Sequence, residues 1–145
     1  MKLSIQDYIS IKIHNIDLAL TNYIKSKLAD YNLAPEQNLV MMLLWEEDGR
    51  TQSQIAEKIK KDKTNVARMA SNLEQKGFIK RVNSVEDRRV LKLYLTSVGK
   101  SLGEKVVPIA EEFNETVCKG FSQEELNELE RLLSKINHNV DRFLR

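Results

Sequence analysis

The sequence is short of most residues that build reactive centres. It has one cysteine, Cys118, and two histidines, His14 and His138, in 145 residues. One cysteine excludes an internal disulfide framework. Two histidines far apart in the chain give no metal-ligand spacing, and none of the five glycines falls in a glycine-rich phosphate loop. No metal and no cofactor is therefore expected, and no catalytic constellation. Cys118, late in an apolar helical pattern, suits a small packing residue; a redox role would need an exposed thiol of lowered pKa. No stretch approaches the roughly 20 apolar residues that span a bilayer. The N-terminal MKLSIQDYISIK intersperses polar residues and lacks the apolar block of a signal peptide. A cytoplasmic protein without membrane contact is the expectation. There is no internal repeat and no low-complexity segment. The length fits one compact protomer, and 41% apolar residues suffice for a core.

What the chain has is positive charge gathered in one place. Between Arg50 and Thr96 stand 12 Lys/Arg against 5 Asp/Glu, a net of +7. Residues 1–49 have a net of −3 and residues 97–145 a net of −2, so a whole-chain value of +2 hides the asymmetry. A local cationic excess of this kind is the electrostatic footprint of a polyanion partner, because phosphate neutralisation supplies most non-specific DNA affinity. A solvated lysine face is the competing reading for any single short run.

The same segment has a helical pattern followed by a strand pattern. Thr51 and Gln54 have capping-box spacing, which opens a helix with Ile55, Ala56 and Ile59 inward. The run Lys60-Lys61-Asp62 interrupts it. Asp62 then caps a second helix whose apolar residues are Val66, Met69, Ala70 and Leu73. Gly77 stands where that helix should end in a left-handed residue. Two helices joined by so short a turn form a helix-turn-helix. Residues 78–82 suit one strand. Residues 90–95 alternate better, with Leu91, Leu93 and Leu95 on one face and Lys92 and Tyr94 on the other. Between them lies the polar tip 83–89, ending in two arginines. A helix-turn-helix leading directly into a charged hairpin is a winged helix.

Helices flank this module. Residues 5–29 repeat apolar residues every three or four positions, with Ile5, Ile9, Ile13 or Ile16, Leu20, Ile24 and Leu28 on one stripe. Pro35 suits the first turn of a second helix reaching about Glu47, and Asp48-Gly49 signals a turn. Thr96 is placed to cap a long helix from Ser97 to about Lys119, which Pro108 should kink. Gly120 ends it, and Ser122 with Glu125 opens a last helix through Leu144 with a wide apolar face. The expected class is mainly α with a small β-hairpin wing. Residues 35–96 form the winged helix-turn-helix, and residues 1–34 and 97–145 supply dimerisation helices. Those terminal helices carry more apolar surface than the winged module needs, and a homodimer uses it economically. A monomer with an enlarged helical core is the alternative.

With Val66, Met69, Ala70 and Leu73 inward, the second helix exposes Thr64, Asn65, Ala67, Arg68, Ser71 and Asn72. Arg68 suits bidentate pairing with guanine, and Asn65 suits adenine or another base with the right acceptors. Thr64 and Ser71 suit phosphates or bases, and Lys63 and Lys76 suit phosphates.

The order of these parts resembles the multiple-antibiotic-resistance regulator (MarR) family of bacterial winged-helix transcription regulators, over nearly the whole chain. Residues 54–81 (QIAEKIKKDKTNVARMASNLEQKGFIKR) are similar to the family's helix-turn-helix and first strand. Residues 86–100 (EDRRVLKLYLTSVGK) are similar to its wing and exit, with Asp-x-Arg on Asp87-Arg88-Arg89 and Leu-Thr-x-x-Gly on residues 95–99. The resemblance implies a triangular dimer that sets one recognition helix in each of two major grooves of double-stranded DNA, with the wings in neighbouring minor grooves. Two-fold symmetry then demands a pseudo-palindromic operator with half-sites about one turn apart, roughly 34 Å. It implies a minor-groove contact for Arg89, with Asp87 shaping the hairpin. Arg88 competes for the groove, since one residue of register decides which arginine points outward.

The resemblance also implies a repressor released by a small aromatic or anionic effector, bound between the dimerisation helices and the winged domain. Helix order places His14, Asp17, Met41 and Trp45 near such a crevice, although each also suits a structural role. Peroxide-sensing members use a cysteine near the N-terminus, which this chain does not have. The reading from a different class is a winged-helix protein–protein adaptor. An adaptor should carry acidic or apolar residues where this chain carries Lys63, Arg68, Arg88 and Arg89.

Overall fold

The computed structural model describes residues 4–144; the outermost residues of the two flanking segments, 1–3 and 145, lie outside it. Six helices and one hairpin follow in the order α1 (Ile9–Leu28), α2 (Pro35–Glu46), α3 (Gln52–Ile59), α4 (Lys63–Gln75), β1 (Ile79–Asn83), β2 (Leu91–Leu95), α5 (Ser97–Val117) and α6 (Gln123–Leu144). They fall into two compact units, one reaching Ala110 and the other beginning at Glu111.

In the first unit the caps work as the spacing dictates. Thr51 Oγ1 accepts from the Gln54 N–H at 3.0 Å while Gln54 Oε1 accepts from the Thr51 N–H at 2.9 Å, which satisfies two otherwise orphaned donors. Lys60 turns left-handed at φ 57°, and Asp62 Oδ1 then accepts from the Asn65 N–H at 2.8 Å to open α4. Each such cap stabilises its helix by about 1 kcal/mol. Gly77 takes φ 82° immediately beyond α4, a conformation costly to any residue with a Cβ. The chain can therefore reverse into β1.

β1 and β2 pair antiparallel from Ile79↔Leu95 to Asn83↔Leu91. A bridge between Thr51 and Lys92 ties the start of α3 to the hairpin's other edge. Asp48 Oδ1 accepts from the Leu95 N–H at 2.8 Å and from the Gly49 N–H at 3.0 Å, so the α2–α3 turn is fastened to β2. Fully buried Leu28, Met41, Leu44, Ile55, Leu73, Ile79 and Leu93 fill the space between α1, α2, α3, α4 and the hairpin. Each contributes roughly 1.5–3 kcal/mol by burial. Thr96 Oγ1 donates to the Gly77 carbonyl at 2.6 Å and accepts from the Gly99 N–H at 3.1 Å, joining the end of α4 to the start of α5. Trp45 Nε1 donates to the Gly99 carbonyl at 2.9 Å, and Val106 is fully buried.

Four boundaries differ from the periodicity. The first helical stripe is not one helix: a single turn at Ile5–Asp7 is followed by extended Tyr8, and α1 starts at Ile9. At its other end the chain tightens into another single turn at Ala29–Tyr31, and Asn32 turns left-handed at φ 56°. Asparagine tolerates that conformation, so the last turn closes before the residues bridging to Pro35. The strands start one residue later than the alternation suggests, at Ile79 and Leu91.

α5 continues past Pro108 to Val117; in the second unit Gly120 turns at φ 84°, and Ser122 and Glu125 form the capping box of α6 at 3.1 and 2.9 Å. No described residue of α6 is buried. Leu129, Leu132, Leu133, Ile136 and Val140 are all exposed at helical spacing. α1 likewise buries only Leu28 and exposes Ile9, Ile13, Ile16 and Leu18.

Candidate nucleic-acid interface

The first two turns of α4 carry a hydrogen-bonded chain on their open side. Asp62 Oδ2 accepts from Asn65 Nδ2 at 3.0 Å, and Asn65 Oδ1 accepts from Arg68 Nη2 at 2.6 Å. The spacing of three residues places all three side chains on one face of the helix. Lys63, Thr64, Arg68 and Asn72 are exposed, and Asn65 and Ser71 are half-buried. The opposite face holds Val66, Met69, Ala70 and Leu73, all buried. Amphipathic packing thus turns the polar residues named from the sequence toward solvent.

Eight of the twelve cations of this segment divide by partner and exposure. Arg50 is buried: its Nε donates to the Leu43 carbonyl at 3.0 Å, and its guanidinium pairs with Glu46 at 2.7 Å and Glu47 at 3.3 Å. Arg81 grips Glu74 through its backbone N–H at 3.0 Å and its guanidinium at 3.1 and 3.2 Å, tying β1 to the last turn of α4. The backbone and then the side-chain bonds from Arg81 hold the Glu74 carboxyl below its usual pKa. Lys61 pairs with Glu36 at 2.8 Å, and that hydrogen bond raises its pKa. Lys76 donates to the Asn32 carbonyl and to Gln37 Oε1, both at 2.7 Å, which leaves one of its three N–H donors for a phosphate. Lys63, Arg68, Arg88 and Arg89 stay exposed on α4 and the wing.

The wing tip is ordered by its own polar groups. Ser84 N–H donates to the Val90 carbonyl at 2.8 Å, and Val90 N–H to the Asp87 carbonyl at 2.9 Å. Asn83 Nδ2 donates to the Arg88 carbonyl. Asp87 Oδ1 accepts from the Arg89 N–H at 3.1 Å and from Arg89 Nε at 3.2 Å, and these bonds, the side-chain one first, lower the Asp87 pKa. The Arg89 side chain nevertheless stays 91% exposed. Its guanidinium is aimed by Asp87 without being covered.

A cleft of about 220 Å³ brings Lys63 and Arg89 together with Thr51, Gln52 and Ser53 at the start of α3. Gln52 and Ser53 escape a reading based on side-chain charge. The signal for them was the Thr51–Gln54 capping box, because the residues after an N-cap present backbone N–H groups outward. The four residues expected near an effector crevice sit differently from one another. His14 and Asp17 are exposed on α1, Met41 is fully buried in the core, and the half-buried Trp45 is bonded to Gly99. Among the described residues no three His, Cys, Asp or Glu side chains are grouped to hold a metal, and no helix is long and apolar enough to cross a membrane.

A helix-turn-helix whose second helix and wing both present unburied cations defines the winged-helix class of transcription regulator. The sequence profile described as "MarR family" matches residues 33–91, from the start of α2's lead-in to β2. The chain is 30% identical over 131 residues to the uncharacterized HTH-type transcriptional regulator YybA of Bacillus subtilis (strain 168), covering 90% of this chain and 87% of YybA. It is 25% identical over 139 residues to the HTH-type transcriptional regulator MgrA of Staphylococcus aureus, covering 95% and 93%. The crystal structure of an S. aureus MepR–DNA complex superposes with a TM-score of 0.84 at 26% identity, over 91% of this chain and 98% of that one. The chain belongs to the MarR family of transcriptional regulators.

Proposed function

We propose that this protein is a homodimeric, sequence-specific repressor that binds double-stranded DNA at a pseudo-palindromic operator in the cytoplasm, and that a small aromatic or anionic effector releases it. The observation that carries the DNA reading is the sorting of charge. Cations packed against the core, Arg50 and Arg81, are spent on acidic partners, whereas Lys63, Arg68 and Arg88 are exposed on α4 and the wing, and Arg89 stays exposed although it is bonded to Asp87. A protein–protein adaptor would need an acidic partner surface to meet those four. Arg68 and Thr64 then meet base edges in the major groove, with Ser71 and Asn72 beside them. Lys63 and the N–H groups that open α3 meet phosphate. Arg89 enters the minor groove, where its guanidinium suits the narrow, negative groove of A·T-rich DNA.

The dimer reading rests on α1 and α6. Each exposes a row of large apolar side chains that no described residue covers, and contiguous apolar surface of this kind marks an interaction face. A second copy of the chain buries both rows.

The experiment is a binding titration on random-sequence duplexes at several salt concentrations, followed by selection of the bound sequences. A steep fall of affinity with salt and a recovered pseudo-palindrome with half-sites one turn apart are expected. Absence of binding at low salt would sink the reading and favour the adaptor.

A further inference from the structure

Asn65 has its two polar atoms committed in opposite directions. Asp62 is a carboxylate and can only accept, so the atom facing its Oδ2 at 3.0 Å is the Asn65 amide nitrogen. Arg68 can only donate, so the atom facing its Nη2 at 2.6 Å is the Asn65 amide oxygen. The two neighbours fix the amide the same way round. Asp62 is itself anchored, because its other oxygen caps α4 through the Asn65 N–H at 2.8 Å.

We propose that Asp62 and Asn65 are positioning residues for base reading: Asp62 orients the Asn65 amide, and that amide holds the Arg68 guanidinium where it meets a guanine. The inference rests on the DNA reading above and reassigns Asn65 within it. A long arginine on an exposed helix face loses rotamer freedom when it binds, and that loss weakens binding. Holding one Nη2 proton before DNA arrives removes part of the loss and leaves four N–H groups, enough for a bidentate pair with O6 and N7. Asn65 therefore acts through Arg68 and does not read a base itself.

Asp62→Asn isolates this effect. Asparagine is as good an N-cap as aspartate, so α4 keeps its start and thermal unfolding should match the wild type. The asparagine turns an N–H₂ group toward residue 65 if its oxygen keeps the cap. The Asn65 amide must then flip, and it presents N–H₂ to a guanidinium that has no acceptor to offer. The substitution also removes a negative charge and raises affinity for all DNA, so the readout is the ratio of affinities. The probe is the duplex that the wild type selects from a random pool, together with its three single-base replacements at each half-site position. Asp62→Asn should lose about tenfold in discrimination at one position, the same position that Arg68→Ala relaxes. In an Arg68→Ala background the further change should vanish.

Equal discrimination by Asp62→Asn and wild type would overturn the relay while leaving the DNA reading intact. So would an equal loss in the Arg68→Ala background, since the effect would then run by another route. A wild type that selects no sequence would overturn the DNA reading and this inference with it.

Discussion

Gly99 gives the most direct test of how α5 is seated. A Cβ at this position would lie 2.0 Å from the Phe78 carbonyl oxygen and 3.4 Å from Leu95 Cδ2. Carbon and oxygen normally approach no closer than about 3.3 Å, so one of the two backbones must retreat by about 1 Å. The Phe78 carbonyl cannot turn aside freely, because it accepts from the Thr96 N–H at 3.1 Å. Retreat of α5 would stretch the bond from Trp45 Nε1 to the Gly99 carbonyl. Overpacking of this kind costs about 1–3 kcal/mol, and one weakened hydrogen bond adds about 1 kcal/mol. Replacing a helical glycine by alanine returns about 1 kcal/mol of helix propensity. Gly99→Ala should therefore destabilise the protein by about 1–3 kcal/mol, lowering Tm by roughly 3–10 °C. Trp45 is the only tryptophan, so the intrinsic fluorescence of the native state reports the same contact directly. Two controls bracket the result. Gly103→Ala has the Trp45 ring as its nearest neighbour, 2.7 Å from Nε1, so it presses on a side chain and not on a backbone carbonyl; it should cost less while also disturbing the Trp45 bond to Gly99. Gly77→Ala meets nothing within 4 Å and should cost only the ~1–2 kcal/mol of its positive φ, without altering native Trp45 fluorescence. A Gly99→Ala protein as stable as the wild type, with unchanged emission, would refute the close approach of α5 to Phe78.

Arg68→Ala should weaken specific binding by roughly 1–3 kcal/mol and relax preference at one base pair, with random DNA affected less; equal losses on both would make it a phosphate contact only. Arg89→Ala should lose most affinity on A·T-rich flanks, and the same loss on G·C-rich flanks would contradict minor-groove reading. Glu74 is held below its usual pKa by Arg81, so its contribution to stability is present above 4.5 and fades as pH falls through the lowered folded-state value. The stability difference between wild type and Glu74→Gln, measured by urea melts, should thus be flat near neutrality and shrink in acid. A difference unchanged down to roughly pH 3 would argue against the Glu74–Arg81 clamp. Deleting residues 122–145 should convert a dimer into a monomer in sedimentation, and Leu129→Glu with Leu133→Glu should do so with α6 retained. A dimer surviving both would remove α6 from the interface.

Much of this molecule was legible in local sequence. Thr51 with Gln54, Asp62, Thr96, and Ser122 with Glu125 announced four helix starts, since a cap and the N–H it satisfies lie within three residues of each other. The apolar period of α4 settled which of its faces turns outward, because helical geometry fixes that face without reference to the rest of the fold. The hairpin declared itself in the same way. The charge count, by contrast, said where cations are dense but not which of them are free. Only the fold decided that Arg50 is buried, that Arg81 serves Glu74, and that Lys76 reaches back 44 residues to the Asn32 carbonyl. An ion pair depends on distance in space, and sequence patterns carry only distance along the chain. The same holds for Gly99, which reads as an ordinary helical glycine until Phe78 is brought against it, and for the apolar row of α6, whose period suits a dimer face or an enlarged core alike until the folded chain leaves it exposed. Periodicity says that a face is apolar, whereas the tertiary structure decides whether this chain covers it.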